Sequence, residues 1–281
     1  MPTESAQLHV DDATLGDLVF DAVIAGADDG EPVLLLHGWP QTSLSWSRVI
    51  PPLASSGLLV AAVDQRGYSA GARAAEVSAY AIEHLVDDAL GVMNALGWSS
   101  AHVVGHDWGS IVAWNLTGSH PEQVRTLTAL SVPHPKAFGA ALATDAVQRE
   151  KSAYMQFFRA DPAKAAQVLL ADDAAALRLV YGDAVHHDDV DDYVAFFSDG
   201  DTLEASLRWY AAMTTAQTPD VTVPTTFVWG SEDIAVGETA ARGCEQHCSG
   251  PYEFRPLEGR GHWLPDQDPD AVVDAILARV R

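Results

Sequence analysis

The chain has 281 residues, of which 48% are hydrophobic and 20% charged, and its formal net charge is −23. This composition is typical of a globular protein with a sizeable core, and the negative charge argues against nucleic acid and anionic membrane surfaces as partners. Apolar runs are too short to span a bilayer, and the N-terminal residues lack the basic and apolar regions of a secretory signal, so we expect a cytoplasmic protein.

The first half of the chain alternates between strand-like and helix-like segments. Apolar residues recur at helical spacing over residues 81–96 and stop at Gly97, and residues 110–119 are predicted to form a second helix. Short apolar runs that end at turn residues predict strands over residues 18–25, 32–36, 58–63, 102–104 and 124–132. Such alternation predicts an α/β fold.

The alternation is interrupted in the second half. Residues 134–217 are rich in alanine and aromatic residues and show helical periodicity without a convincing strand, so we interpret them as a helical cap. Strand and helix signals return at residues 224–229, 238–247, 252–257 and 271–281. The prediction is a core of residues 1–133 and 218–281 that carries a cap of residues 134–217.

The segment VVGHDWGS, residues 103–110, joins a predicted strand to a predicted helix. Gly105 and Gly109 lie two positions before and after Asp107. This is the pattern of a nucleophile elbow, a strained turn that needs small flanking residues. An aspartate here could instead cap the helix, which is the structural alternative.

A carboxylate nucleophile is suited to displacement at a saturated carbon. Its reference pKa is about 4, so Asp107 is ionised at neutral pH and attacks without the help of a base. The product is an alkyl ester of the enzyme, and its hydrolysis needs a base and an oxyanion hole.

The base is expected after the last predicted strand, where LEGRGHWLPD supplies His262 in a glycine-bounded loop. The acid is expected after the preceding strand, where GSEDIAVG offers Asp233 and Glu232. We choose Asp233 and keep Glu232 as the alternative. Asp233 would hold the tautomer of His262, and His262 would deprotonate the attacking water.

The motif HGWPQ follows a predicted strand and supplies the oxyanion loop. The backbone N–H groups of Trp39 and Trp108 are the predicted donors to the tetrahedral intermediate. We also expect His37, Trp39, Pro40 and His106 at the substrate pocket, with the two histidines packed or bonded to backbone rather than reacting.

Over essentially the whole chain, these motifs resemble the epoxide hydrolase branch of the α/β-hydrolase superfamily. The resemblance implies an α/β-hydrolase fold, with a mostly parallel central sheet flanked by helices and the helical cap inserted after the sixth strand. It implies neither a metal nor a cofactor. Ser110 is a departure, since glycine is frequent at that position. The matching segments are HGWPQ, DQRGYSAG, GHDWGS, HPEQVRTL, VWGSEDIAVG and GRGHWLP.

The resemblance also implies two cap tyrosines that donate to the epoxide oxygen. The matching residues are Tyr154, in SAYMQFFRA, and Tyr210, in SLRWYAAM. A phenol has a pKa of about 10 and donates a hydrogen bond without being ionised. The implied reaction converts a small neutral epoxide and water into a vicinal diol, in a monomer or homodimer. Packing of both tyrosines as core aromatic residues is the alternative.

Two other functions stay open. GHDWG is shared with haloalkane dehalogenases, in which Trp108 would hold the halide. In this chain, however, position 39 is tryptophan rather than asparagine or glutamate, and the two tyrosines would have no role. A non-catalytic ligand-binding protein would keep the fold without turnover.

Two further clusters are interpreted as structural. Residues 186–193, HHDDVDDY, look like a metal cluster but lack the glycine and terminal glutamate of a calcium loop, so we expect a solvated turn. Cys244 and Cys248 would share a helix face, and the sequence leaves open whether they form a disulfide.

Overall fold

The structure, a computed structural model, describes residues 3–214 and 218–280, and these contain one eight-stranded sheet. The strands are β1 (Glu4–Asp12), β2 (Gly16–Ala25), β3 (Glu31–Leu36), β4 (Leu58–Val63), β5 (Ala101–His106), β6 (Val124–Leu130), β7 (Thr225–Gly230) and β8 (Tyr252–Leu257). Their order is β1-β2-β4-β3-β5-β6-β7-β8. Strand β2 pairs antiparallel with β1 and β4, and the other pairs are parallel.

Helices cover both faces of this sheet. On β3, Val33 and Leu35 pack into one hydrophobic cluster, while Leu34 and Leu36 pack into the other, because successive side chains of a strand point to opposite faces. The helices are α1 (Ile50–Ser55), α2 (Ile82–Ala95), α3 (Trp108–Ser119), α4 (Pro135–Thr144), α5 (Ala146–Lys151), α6 (Tyr154–Ala160), α7 (Pro162–Tyr181), α8 (His187–Phe197), α9 (Thr202–Ala212), α10 (Glu238–Gly243), α11 (Leu264–Gln267) and α12 (Pro269–Val280).

The cap helices α4 to α9 lie between β6 and β7 in the chain. Helix α7 is broken by a left-handed turn at Asp172, Asp173 and Ala174, whose φ angles are 52°, 59° and 57°. Residues 215–217, which end the predicted cap, lie outside the described residues. The predicted fold class is confirmed, including the insertion after the sixth strand.

The predicted elements differ from the observed ones mainly at the edges. Strand β1 was not predicted, because as an edge strand it turns only Leu8 and Val10 into the core and carries a weak apolar signal. The strand predicted over residues 124–132 ends at Leu130, because Ser131 adopts a φ of 66° and leaves the sheet. The last helix is described to Val280, and Arg281 lies outside the described residues.

The two clusters outside the predicted site have ordinary roles. The expected turn at HHDDVDDY is wrong, because residues 187–193 form the first part of α8, and His186 Nδ1 caps that helix by accepting the N–H of Asp188. Cys244 and Cys248 carry free thiols. In the part of the chain that the structure describes, no helix combines the length and the apolar character of a membrane span.

The parallel strands bring distant loops to one edge of the sheet. The loops that follow β3, β5, β7 and β8 all leave from the carboxyl ends of parallel strands. Ligand sites of α/β sheets form at that edge. The oxyanion loop, Asp107, Asp233 and His262 follow these four strands in that order.

Candidate active site

Asp107 lies in the turn between β5 and α3. Its φ is 52° and its ψ is −118°, a conformation that residues with side chains rarely adopt. A Cβ atom at Gly105 would overlap the backbone of Gly109, and one at Gly109 would overlap the carbonyl of Leu36. The Asp107 side chain makes no capping hydrogen bond with α3, so its carboxylate is available for contacts with other loops.

Two backbone N–H groups lie close to this carboxylate. The N–H of Trp39 donates to Asp107 Oδ1 at 2.8 Å, and the nearby N–H of Trp108 is one of the groups that lower the pKa of the carboxylate. The loop approaches this closely because residue 38 is glycine, where a Cβ atom would overlap the Asp107 side chain. The Trp39–Pro40 peptide bond is cis. Both predicted oxyanion donors therefore lie against Asp107.

His262 lies between two carboxylates. Its Nε2 is 3.4 Å from Asp107 Oδ2, and its Nδ1 is 2.9 Å from Asp233 Oδ2. The other oxygen of Asp233 accepts the N–H groups of Ala235 and Val236 at 2.7 and 2.9 Å. The structure thus brings Asp107, His262 and Asp233 together.

Glu232, the alternative acid, is not part of this group. Its side chain is exposed, whereas Asp233 is 1% exposed. The loop after β7 therefore turns the second of the two acidic residues toward His262.

Charge pairing between Asp107, His262 and Asp233 decides which of these side chains carry a proton. Burial alone would raise the pKa of Asp107, but the hydrogen bond and the positive charge of His262 outweigh it and lower the pKa. Burial would lower the pKa of His262, but the charges of Asp233 and Asp107 raise it to about 10. At neutral pH an imidazolium therefore lies between two carboxylates.

This arrangement predicts a pH-dependent stability. The pKa of His262 rises from 6.5 to about 10 on folding, so its contribution is complete below pH 6.5 and is lost as the pH rises toward 10. We expect the difference in free energy of unfolding between the wild type and His262→Gln to shrink over that range by a few kcal/mol, at about 1.4 kcal/mol per pKa unit. Urea denaturation at several pH values measures this difference, and a constant difference would contradict the prediction.

A cavity of about 430 Å³ lies beside Asp107, between the core and the cap. Asp107, Trp108, Tyr154 and Tyr210 line it. Much of the remaining wall is apolar, which favours a neutral substrate with a hydrophobic body. Apolar wall residues include Ile82, Ile111, Phe138, Leu142, Met155 and Met213.

The two predicted tyrosines enter the cavity from different cap helices. Tyr154 comes from α6 and Tyr210 from α9, and their ring centroids are 6.2 Å apart. Tyr210 also packs edge-on against Trp108, at 5.1 Å. Tyr210 is 2% exposed and Tyr154 is 38% exposed, and partial loss of hydration together with the negative charge of Asp107 raises the pKa of both phenols above the usual value of 10. Both therefore keep their protons at neutral pH and can donate hydrogen bonds.

Four residues that the sequence predicted at the pocket, His37, Trp39, Pro40 and His106, are not among the residues that line this cavity. The Trp39 ring packs under Phe158 of the cap, and the carbonyl of Pro40 accepts the hydroxyl of a cap tyrosine. His37 contacts backbone groups of its own loop and of the loop after β4, and His106 Nε2 donates to the carbonyl of His262. Trp39 thus packs on the cap, and hydrogen bonds with backbone groups hold both histidines.

Sequence reasoning missed a contact between the cap and the acid loop. Gln148 of α5 is buried, donates to the carbonyl of Ala235 at 2.8 Å and accepts the N–H of Gly237 at 2.8 Å. Lys151, on the same helix, donates to the carbonyl of Asp233. A glutamine and a lysine on a short helix are typical of a solvated surface, so the sequence carried no signal for this contact.

The chain is similar in sequence to a known protein family and to proteins of that family. A family model described as the alpha/beta hydrolase fold matches residues 31–269. The chain is 32% identical to the AB hydrolase superfamily protein YfhM of Bacillus subtilis (strain 168), over 90% of this chain and 91% of the relative. It is 30% identical to Epoxide hydrolase A of Mycobacterium tuberculosis, over 91% of this chain and 92% of the relative.

The chain is also similar in structure to solved α/β hydrolases. One is described among novel epoxide hydrolases of the alpha/beta hydrolases superfamily in metagenomes from hot environments. It superimposes with a TM-score of 0.87 at 28% identity, covering 100% of this chain and 99% of that chain.

Proposed function

Because this chain belongs to the α/β-hydrolase family, we propose that it is an epoxide hydrolase, which converts an epoxide and water into a vicinal diol. The proposal rests on one observation, the set of groups that surround the Asp107 carboxylate. It lies at the cavity between two backbone N–H groups, an imidazole and two cap phenols. The similarity to Epoxide hydrolase A of Mycobacterium tuberculosis supports the same reaction.

The first step opens the ring. Asp107 Oδ1 is held by the N–H of Trp39, whereas Oδ2 faces His262, so we assign the attack on a ring carbon to Oδ2. The epoxide C–O bond breaks as the new ester bond forms. Tyr154 and Tyr210 donate hydrogen bonds to the departing oxygen, and one phenol transfers its proton to it. The product is a hydroxyalkyl ester of Asp107.

The second step hydrolyses this ester. His262 takes a proton from water, and the resulting hydroxide attacks the ester carbonyl carbon. The carbonyl oxygen is then Oδ1, which becomes an oxyanion. The N–H groups of Trp39 and Trp108 already lie against the carboxylate in the free protein, so little reorganisation is needed. The bond between the carbonyl carbon and the substrate oxygen breaks, and the departing alkoxide takes the proton from His262 and leaves as the diol. The new carboxyl group of Asp107 then gives its proton to the imidazole, which regenerates the carboxylate.

The charge of Asp107 controls whether His262 is protonated in each of the two steps. Esterification removes the negative charge of Asp107, which is one of the causes of the raised pKa of His262. His262 then releases its proton to the solvent as the phenolate is reprotonated, and the neutral imidazole is ready to act as the base. The same group is therefore an imidazolium before ring opening and a base after it.

Oxygen labelling tests the proposed path. In a single turnover with excess enzyme in ¹⁸O water, the first diol should carry only unlabelled oxygen, because its new oxygen comes from Asp107. The label should instead appear in the aspartate. Mass spectrometry of the diol measures this, and a labelled diol in the first turnover would rule out the covalent path.

The proposed role of the two cap tyrosines can be tested by removing their hydroxyl groups. Tyr154→Phe and Tyr210→Phe should each lower kcat/KM for an epoxide by about 10- to 100-fold, since a hydrogen bond to a charged oxygen contributes about 1.5–3 kcal/mol. The double variant should be slower than either single variant. Initial rates of diol formation measure the effect.

Tyr80→Phe is the matched control for these variants. Tyr80 also lines the cavity, but its hydroxyl donates to the carbonyl of Ala74 at 2.8 Å. It should keep kcat/KM within about threefold of the wild type, a change below about 1 kcal/mol. Equal losses in Tyr80→Phe, Tyr154→Phe and Tyr210→Phe would mean that the phenols act through packing alone.

Haloalkane dehalogenation is the alternative use of the same nucleophile. In the described part of the chain, the buried indole Nε1 of Trp39 has no hydrogen-bond partner, as a halide donor would require. However, Trp39 does not line the cavity, whereas both phenols do. Release of bromide from bromoalkanes, faster than diol formation from epoxides, would favour the dehalogenase.

A further inference from the structure

The backbone carbonyl of His262 accepts three hydrogen bonds. The N–H of Leu264 donates at 2.9 Å and closes a tight turn, in which Trp263 has φ −85° and ψ 59°. His106 Nε2 donates at 2.9 Å, and Ser131 Oγ donates at 2.6 Å. A carbonyl oxygen has two lone pairs, so three donors restrict its position.

The two side-chain donors come from neighbouring strands. His106 ends β5, directly before Asp107, and Ser131 directly follows β6, the strand paired with β5. Both side chains are buried, with 0% exposure. They therefore tie the loop of His262 to the two strand ends beside the nucleophile.

The protonation of His106 follows from this contact. The carbonyl is only an acceptor, so Nε2 of His106 must carry the proton. Burial, and then the charge of His262, lower the pKa of His106 to about 4, so the ring is neutral at physiological pH. Its Nδ1 has no hydrogen-bond partner among residues 3–214 and 218–280. His106 therefore acts as a fixed donor to the backbone.

Ser131 holds an unfavourable backbone conformation. Its φ of 66° is left-handed, which costs a residue with a side chain about 1–2 kcal/mol. Its N–H donates to the carbonyl of Val228 on β7 at 2.9 Å, so the main chain is fixed by the sheet. Glycine would avoid the strain. The contact of the hydroxyl with His262 gives a reason for serine at this position.

We infer that Ser131 is a positioning residue for the base, and that it acts in the second step of the proposed reaction. The inference rests on the proposed function, because His262 acts as a base only there. Asp233 fixes the ring of His262 at Nδ1, and the Ser131 hydroxyl fixes its main chain. Together they set Nε2 beside Asp107. Proton transfer from water depends on that placement, whereas ring opening depends on Asp107 and the cap phenols.

The test compares Ser131→Ala with Ser131→Gly in single turnovers, in which ester formation and ester hydrolysis are resolved by rapid quenching and intact-protein mass. Both variants lack the hydroxyl, but glycine relieves the strain. We expect ester hydrolysis to slow about tenfold in both, and ester formation to change by less than about threefold. The glycine variant should have the higher melting temperature. The pH dependence of ester hydrolysis should also shift in both, because the alignment of His262 with Asp233 changes.

Ser110→Ala is the matched control. Ser110 is also 0% exposed, and its hydroxyl donates at 2.6 Å to the carbonyl of Val132, close to Ser131 in the chain. Its contact is not with His262, so ester hydrolysis should proceed as in the wild type.

Three results would overturn the inference. Ester hydrolysis at the wild-type rate in Ser131→Gly but not in Ser131→Ala would assign the effect to strain. Equal slowing of both steps would assign it to general damage. Wild-type rates of ester hydrolysis in both variants would leave the hydroxyl without a role. Failure of the proposed function is distinguishable, because the wild type itself would then form no ester.

Discussion

Replacement of Asp107 by alanine should abolish epoxide turnover, lowering kcat by about 10⁴-fold or more, since the variant has no atom to form the ester. The cavity, the oxyanion loop and the imidazole would remain. Diol formation measures the loss, and intact-protein mass should show no adduct after incubation with substrate. Turnover within tenfold of the wild type, in a folded variant, would remove Asp107 from the mechanism.

Asp161→Ala is the matched control, because Asp161 also precedes a helix but has a capping role only. Asp161 caps α7, where its carboxylate accepts the N–H of Lys164 at 2.9 Å. Its loss should cost about 1 kcal/mol of stability and leave turnover intact. The two variants thus separate the nucleophile from a helix cap, because Asp107 makes no capping hydrogen bond with α3.

His262→Gln should separate the two chemical steps. Ring opening needs no base, so the variant should form the ester once and then stop, with steady-state turnover reduced by about 10³-fold or more. Intact-protein mass should show one substrate added to each chain, and peptide mapping should place it on Asp107. Steady hydrolysis without an adduct would contradict the assignment of His262.

The same variant should form its ester more slowly at lower pH. In the wild type, His262 offsets the effect of burial and lowers the pKa of Asp107. Without His262, burial raises that pKa, so a larger fraction of Asp107 is protonated and unreactive as the pH falls. The rate of adduct formation should therefore rise with pH through a higher apparent pKa than in the wild type.

His102→Gln is the matched control for this variant. His102 lies on β5, is 6% exposed and contacts the hydroxyl of Thr126 at 2.8 Å. It should turn over the epoxide and accumulate no adduct. Adduct in both variants would point to a general effect of replacing a buried histidine.

The residues of the proposed triad could be chosen from the sequence because each lies in a short loop after a strand. Gly105 and Gly109 mark the elbow, and the close approach of their backbones is a local property that only small residues allow. The sequence does not separate Asp233 from Glu232, because adjacent residues share the same loop. Only the fold of that loop turns one of them toward His262.

The sequence by itself determined the fold class, the helical insertion and the short motifs, because apolar periodicity and tight turns are encoded by near neighbours in the chain. The tertiary structure alone decided which side chains line the cavity and what holds the base. Ser131 and His262 are 131 positions apart, and Gln148 and Ala235 are 87 apart. Contacts of this kind depend on which strand ends and cap helices meet, so no local sequence pattern predicts them.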